Sequence, residues 1–298
     1  MTHLNFSTDF YHILWFFIIY CFLGWVWESS FCSIKAKKLI NRGFLIGPYI
    51  PIYGCGALVV YLTLYPLRDQ LLLVYIGGVI FPTILEFVTS WVMEKVFAAT
   101  WWDYSNEKFN IQGRICLKVS LFWGFFSVAM VEIFHPLVLM LIDKIPRHTG
   151  EIAGGIFVVV FSADFAHTVV ATLDIKKTLA KMENVRADIF QFLEVHNLGA
   201  EYKELSPSRM LNYLKEQWEE RKEYLENIPV AGTISEYKEE LEEKLSALVK
   251  RYEGNKPKRR RARVLQRHVK AYPKLKSTKY SVSLDEMKKR LEKLRKEK

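Results

Sequence analysis

Five stretches of this sequence are long and apolar enough to cross a bilayer, and they decide most of what the chain can fold into. A span takes roughly 20 mostly apolar residues at about 1.5 Å each. Residues 10–32, 48–65, 71–97, 117–142 and 152–173 qualify. Backbone in hydrocarbon must satisfy its own hydrogen bonds, so such stretches read as helices. The expected fold is therefore all-α, a polytopic membrane bundle of about five transmembrane helices. The second stretch is the least regular, because Gly47, Pro48, Pro51, Gly54 and Gly56 crowd its start.

Whole-chain composition hides this, since 25% charged residues would suit a soluble protein. Residues 1–174 carry 11 basic and 12 acidic side chains, whereas residues 175–298 carry 31 and 20. The net charge of +10 belongs to the C-terminal part, which prefers anionic company. Three regions are expected: a transmembrane domain at 1–174, a cytoplasmic helical, coiled-coil-like region at 175–253, and a basic, partly disordered tail at 254–298. Lys and Arg mark the cytoplasmic ends of spans. Ten of them, from Lys35 to Lys181, flank the first, third and fifth stretches on one side. Only Arg68, Lys144 and Arg147 stand on the other, which places the N-terminus outside and the tail in the cytoplasm. The first apolar run lacks a basic lead and is too long and aromatic for a cleaved signal.

The tail reads as helices. Ile175, Leu179, Met182, Ile189, Phe192 and Leu193 continue the fifth stretch at helical spacing. Ser206-Pro207 opens a second helix, with Pro207 in its first turn. A third, at 234–252, sets Glu240 before Lys244. Its thin seam of Leu241, Leu245, Leu248 and Val249 predicts a short helical pairing and not a compact core. Residues 256–279 hold 11 basic residues and no acidic one, a composition that predicts disorder, or a helix only on binding. Anionic lipid headgroups are the expected partner of Lys258, Arg259, Arg260, Arg261 and Arg263, at about 1 kcal/mol for each basic residue near the surface. Nucleic acid is the weaker alternative, because aromatics for base stacking are confined to Tyr272 and Tyr280.

The residues that point to chemistry are acids inside the apolar stretches. An ionisable group at that depth is costly and is kept for function. By helical rise, Glu86 lies about 3 Å to the inner side of its span's centre, Glu132 about 3 Å to the outer side, and Asp164 about 2 Å to the inner side. One polar layer on three neighbouring helices is expected. His135 and His167 each follow an acid by three residues, on the same helix face. With Glu28 these make four carboxylates and two histidines, the inventory of a di-metal carboxylate bundle. Glu28 lies about 10 Å deeper, however, and the two histidines extend in opposite vertical directions from their acids. A path for protons or a cationic solute through Glu86, Glu132, His135, Asp164 and His167 fits better than a metal cage, and no metal or cofactor is expected.

Two further groups follow. Broken backbone in a membrane is tolerated where it lines a cavity or packs inside protein. Gly47, Pro48, Tyr49, Pro51, Tyr53 and Gly54 are expected to line one, with a half-helix N-terminus pointing into it. Glu28, Asp103 and Arg114 form an expected inner-surface cluster. Trp101 and Trp102 suit an interfacial aromatic belt. Cys21, Cys32, Cys55 and Cys116 fit no zinc or redox spacing and read as small buried hydrophobes. The chain holds no P-loop, no nucleophile elbow and no zinc-protease motif, which excludes ATP hydrolysis by those means.

Three strings carry a family resemblance: Gly24-Trp25-Val26-Trp27-Glu28, the segment Gly43 to Gly56, and Trp101-Trp102-Asp103-Tyr104-Ser105 with Phe109 to Leu117. They resemble the bacterial integral membrane family catalogued as ABC transporter type IV, over roughly residues 10–145 and not over the tail. The resemblance implies a bacterial inner-membrane protein with the character of a transporter permease, and a separate ATPase subunit as partner. The loops at 33–47 and 98–116 are the candidate coupling surfaces. The resemblance carries over no site residues. The leading expectation is a multi-pass protein that binds or moves a small polar or ionic solute. The alternatives are a membrane-embedded enzyme acting on lipid through Glu28, Asp103 and Arg114, and a scaffold or regulatory protein whose tail is the active part. Self-association stays open.

Overall fold

The computed structural model describes residues 9–195, 205–226, 233–254 and 259–296. It is nearly all helix: α1 (Phe10–Ala36), α2 (Pro51–Leu64), α3 (Leu71–Phe97), α4 (Leu117–Ala129), α5 (His135–Asp143), α6 (Arg147–Val195), α7 (Pro207–Glu226), α8 (Thr233–Gly254), α9 (Arg259–Ala271) and α10 (Ser281–Lys296). A π-helical turn, Met130–Phe134, joins α4 to α5, because Pro136 has no N–H to return to the Glu132 carbonyl. The chain forms two compact units, residues 1–170 with 267–275 and residues 171–266 with 276–298.

Among the described residues four helices are long and apolar enough to cross a membrane: Phe10–Ala36, Leu71–Phe97, Leu117–Asp143 and Arg147–Val195, the last running from the first unit into the second. Their outer surfaces stay apolar, with Phe31, Ile84, Trp91, Phe125, Leu137 and Val159 all exposed, as lipid-facing helices require. Packing between helices is close and relies on small residues, the usual device in lipid. A Cβ on Gly24 of α1 would sit 2.3 Å from the Tyr53 ring of α2, and one on Gly54 would sit 2.4 Å from the Cys21 sulfur. Gly78 of α3 meets Ser127 and Gly124 of α4 in the same way. Gly78 is also the residue whose carbonyl Pro82 cannot bond, so the kink-prone point coincides with the close approach.

The fifth apolar stretch of the sequence, 48–65, gives only the 14 residues of α2. The reason is visible in the chain before it. After α1 ends at Ala36, residues 38–50 turn back along it without forming a helix. Ile40 N–H bonds to the Ser33 hydroxyl, Arg42 N–H to the Ser29 hydroxyl and Ile50 N–H to the Cys21 carbonyl. Fifteen residues of α1 separate Cys21 from Ala36, so the segment climbs about 22 Å before α2 begins. The return of the chain along α1 is half extended and half helical. The end of the bundle where α1 and α3 finish is called the inner end below.

The second unit is built on the C-terminal part of α6 with α7, α8 and α10. Val185, Ile189 and Leu193 of α6, Met210, Leu211 and Leu214 of α7, and Leu248 and Tyr252 of α8 form one buried cluster. This corrects the expected thin pairing: the small core recruits a third helix, α6, whose apolar positions the sequence placed correctly. Glu286 of α10 accepts from Tyr252 Oη at 2.5 Å and from the Ser208 amide at 3.0 Å. Of the stretch 256–279, expected to be disordered or helical only on binding, the structure describes residues 259–279. Residues 259–271 are helical, and Leu265, His268, Ala271, Tyr272 and Leu275 are buried. Positions three or four apart give this basic stretch one apolar face, which the charge count obscured. Lys258 lies outside the described residues. Of the expected lipid-binding arginines, Arg259, Arg260, Arg261 and Arg263 all fall in α9, and Arg263 is exposed.

Candidate functional site

Two carboxylates in the inner half of the first unit, Glu28 and Glu86, differ in their partners. Glu28 of α1 accepts from Arg42 Nε at 3.2 Å and from Tyr53 Oη of α2 at 3.3 Å. Glu86 of α3, only 8% exposed, accepts from Tyr104 Oη at 3.1 Å and from Trp123 Nε1 of α4 at 3.0 Å. Tyr53 and Trp123 stack edge to face at 5.8 Å and close the two halves into one site. Burial first, then Glu86 and more weakly Glu28, push the Tyr104 hydroxyl well above its usual pKa, so both acids act on one phenol. Among the described residues no Lys, Arg or His bonds to Glu86. A buried carboxylate without a counter-ion is expensive, and it lowers that cost by taking a proton or a cation.

Local structure explains how these groups arrive. Tyr104 sits in the loop between α3 and α4, which a small hairpin stiffens, Asn110–Ile111 against Ile115–Cys116. Gln112 and Gly113 both take positive φ at its tip, the signature of a type I′ turn. A Cβ on Gly113 would meet Ser105 and Asp103. The Gly113 carbonyl receives the Tyr104 amide at 2.8 Å, and Trp102 Nε1 donates to the Arg114 carbonyl at 3.0 Å.

A second polar arrangement secures the extended half-traverse. Asp164 of α6 accepts from the Gly47 amide at 2.8 Å, the Ile46 amide at 2.9 Å, Tyr49 Oη at 2.8 Å and Thr168 Oγ1 at 3.1 Å. On the opposite edge Arg267 donates to the carbonyls of Phe44, at 2.6 Å, and Leu45. Asn41, held by Trp25 Nε1 at 2.6 Å, donates to the Ile46 carbonyl. Irregular backbone at this depth has its polar groups met by side chains, as it must.

The structure therefore distributes the expected acidic layer among different partners. No hydrogen bond or ion pair joins Glu86, Glu132, His135, Asp164 and His167 to one another among the described residues. Glu132 is exposed on the π-helical turn, and His167 is half-buried. His135 is fully buried in an aromatic cage of Phe16, Tyr61 and Tyr65, with ring centroids 4.6, 4.4 and 4.9 Å away. Its Nδ1 lies 3.4 Å from Tyr20 Oη, and its Nε2 has no partner among the described residues. The shared face expected for Glu132 and His135 is lost because π-helical geometry rotates Glu132 away from His135. No group of three or more His, Cys, Asp or Glu among the described residues is arranged to hold a metal ion.

The inner-surface cluster also divides. Glu28 joins Arg42 and Tyr53, Asp103 turns back to the Ser105 amide at 2.9 Å, and Arg114 pairs with Glu94 of α3. Of the expected cavity-lining residues, Gly47 and Gly54 are packed too tightly to face open space, Tyr49 is latched to Asp164, and Tyr53 stands at the carboxylate site. Trp101 is buried against Phe44 and Phe97, not displayed at an interface. Trp123 and Arg42 carry the site without having been singled out. Trp123 offers one signal, an indole N–H inside an apolar stretch that needs an acceptor.

The family model described as Putative ABC-transporter type IV matches residues 15–169. The chain belongs to this family. No curated protein and no solved structure matches the chain. Family membership and four bilayer-length apolar helices make this a membrane protein related to transporters. All three strings that carry the resemblance meet at one place in this ABC-transporter-type bundle. Gly24 admits Tyr53, Trp25 holds Asn41, Glu28 takes Arg42, and Tyr104 reaches Glu86.

Proposed function

We propose that the protein is a membrane transporter subunit whose solute site is the Glu28–Glu86 pair, and that the solute is cationic: a proton, or a small amine or metal-free organic cation. One observation carries this reading, the buried Glu86 carboxylate, which has two neutral donors and, among the described residues, no cation. Glu28 is balanced by Arg42, so the pair is short of one positive charge when both acids ionise. A cation entering the site supplies it. The membrane is a bacterial plasma membrane, crossed five times if the extended segment and α2 count as one traverse, with the N-terminus outside. Anionic headgroups at Arg259 to Arg263 and a separate ATPase subunit belong to the same proposal.

The test is flux through purified protein in proteoliposomes. Vesicles are challenged in turn with radiolabelled methylammonium, choline and putrescine, and, when loaded with the pH dye pyranine, with a proton gradient. At least one cation should move, and Glu86→Gln should slow it by about tenfold or more. Movement of anionic or neutral solutes alone, or equal flux in Glu86→Gln and wild type, would sink the proposal. Affinity purification from native membranes tests the energy source, since an ATPase-driven version must bring down a nucleotide-binding subunit.

A further inference from the structure

Residues 267–275 belong to the membrane unit, although the residues on both sides of them belong to the other unit. Their contacts lie within the membrane unit and fall on the groups that shape the site. Arg267 holds the carbonyls of Phe44 and Leu45, the same segment whose next two amides are held by Asp164. His268 stacks on Phe44 at 5.5 Å and meets the Trp101 ring at 4.8 Å. The Ala271 carbonyl accepts from Arg42, and the Arg42 guanidinium lies 4.2 Å above the Tyr272 ring. Tyr272 packs in turn on Trp101 at 5.1 Å. Lys274 reaches the Asp103 carbonyl, one residue before the phenol that bonds Glu86.

Arg42 is thus shared between Glu28 and this segment. A basic stretch from the far end of the sequence holds Arg42, the one cation bonded to either carboxylate among the described residues, and touches the loop residue that precedes Tyr104. We propose that residues 267–275 are an autoinhibitory strap: docked, they shut the inner approach to the Glu28–Glu86 site, and solute exchange on that side requires their release. The inference rests on reading the carboxylate pair as a solute site. Release frees Arg42 to move from Glu28, so opening the approach and exposing the negative charge are one event.

Two measurements separate the strap from the solute site. The first reads access alone. In full-length protein with all four cysteines replaced by alanine, Ser29→Cys places a thiol one residue from Glu28, at a buried position whose hydroxyl accepts from the Arg42 amide. A charged methanethiosulfonate added from the inner side should modify it at least tenfold faster when Arg267→Ala and Tyr272→Ala are combined. Equal rates overturn the strap, whatever the protein transports. The second pairs Phe44→Cys with His268→Cys. Oxidation should join them in membranes, stop cation flux, and permit it again after reduction. Failure to cross-link overturns docking, and full flux through the cross-linked protein overturns gating. If no cation moves through the wild type while access still rises in the strap variant, the solute reading fails and the strap stands.

Discussion

At the scale of single residues the decisive contrast is between two buried polar side chains, Glu86 and His135. Both sit in apolar stretches and both satisfy the rule that ionisable groups in lipid are functional, yet their surroundings differ. Glu86 has two donors aimed at it and no cation among the described residues, whereas His135 is enclosed by rings that fill the space around it. Glu86→Gln keeps an acceptor for Tyr104 and Trp123 while removing the charge. It should leave the melting temperature in detergent unchanged or higher and still lose transport. A variant that loses stability and flux together would mean that the carboxylate is structural. For His135 the expectation runs the other way. His135→Phe removes an orphaned ring nitrogen and keeps the cage packed, so it should match or exceed wild-type stability with full flux, while His135→Ala should cost about 3 kcal/mol or more from the cavity it leaves. Thermal unfolding of the two variants side by side decides this. The sequence made Glu86 legible, since an acid in an apolar run stands out. It left the partners of Glu86 illegible, because Trp123 is 37 positions away and no local period links them.

At the scale of elements the half-extended traverse of residues 38–50 is the feature to explain. Its irregularity was legible in the crowding of Gly and Pro, which cannot start a regular helix. Its support was not, because Asp164 lies 117 residues from Gly47 and reads in sequence as one more acid in a span. Asp164→Ala leaves two amides and a phenol without an acceptor in an apolar setting, and should destabilise the unit by about 3 kcal/mol, with Asp164→Asn between it and wild type. Equal stability of wild type and Asp164→Ala would remove the latch. The strap on the other edge of this segment has its own signature. Burial, then the charge of Arg267, push the His268 imidazole down to about 3. Charged groups on the elements around it are Lys38, Arg42, Glu94, Lys95 and Asp103, with Arg267, Lys270 and Lys274 on its own segment. Above pH 6.5 the ring is neutral whether the strap is docked or free, and titration costs nothing. Below that value the free strap binds a proton that the docked strap refuses, so docking weakens by up to about 1.4 kcal/mol per pH unit down to the depressed pKa. Modification of Ser29→Cys should therefore quicken as the inner pH falls from 7 to 5, and His268→Phe should flatten that response. A rate that slows on acidification, after correction for the reagent, would contradict it.

At the scale of the whole molecule, charge distribution and apolar length argue for one topology. Four helices span by length alone, and α2 with its extended lead makes a fifth crossing only if residues 38–50 enter from the same end at which α1 finishes. The bonds from Ile40 to Ser33, from Arg42 to Ser29 and from Ile50 to Cys21 put them there, because each later residue lies further back along α1. An even number of crossings between Arg68 and Arg147 is then required: α3 goes in, and α4 with α5 comes out. The proposed topology puts Arg68 and Arg147 on one side and Lys108 on the other. Single cysteines in a cysteine-free background test this directly. Arg68→Cys and Arg147→Cys should react with an impermeant maleimide in intact cells, and Lys108→Cys and Lys176→Cys only after the membrane is opened. If Arg68 were labelled from the outside and Arg147 only from the inside, α4 and α5 would not form one span, and the π-helical turn at Met130–Phe134 would mark a re-entry instead of a kink.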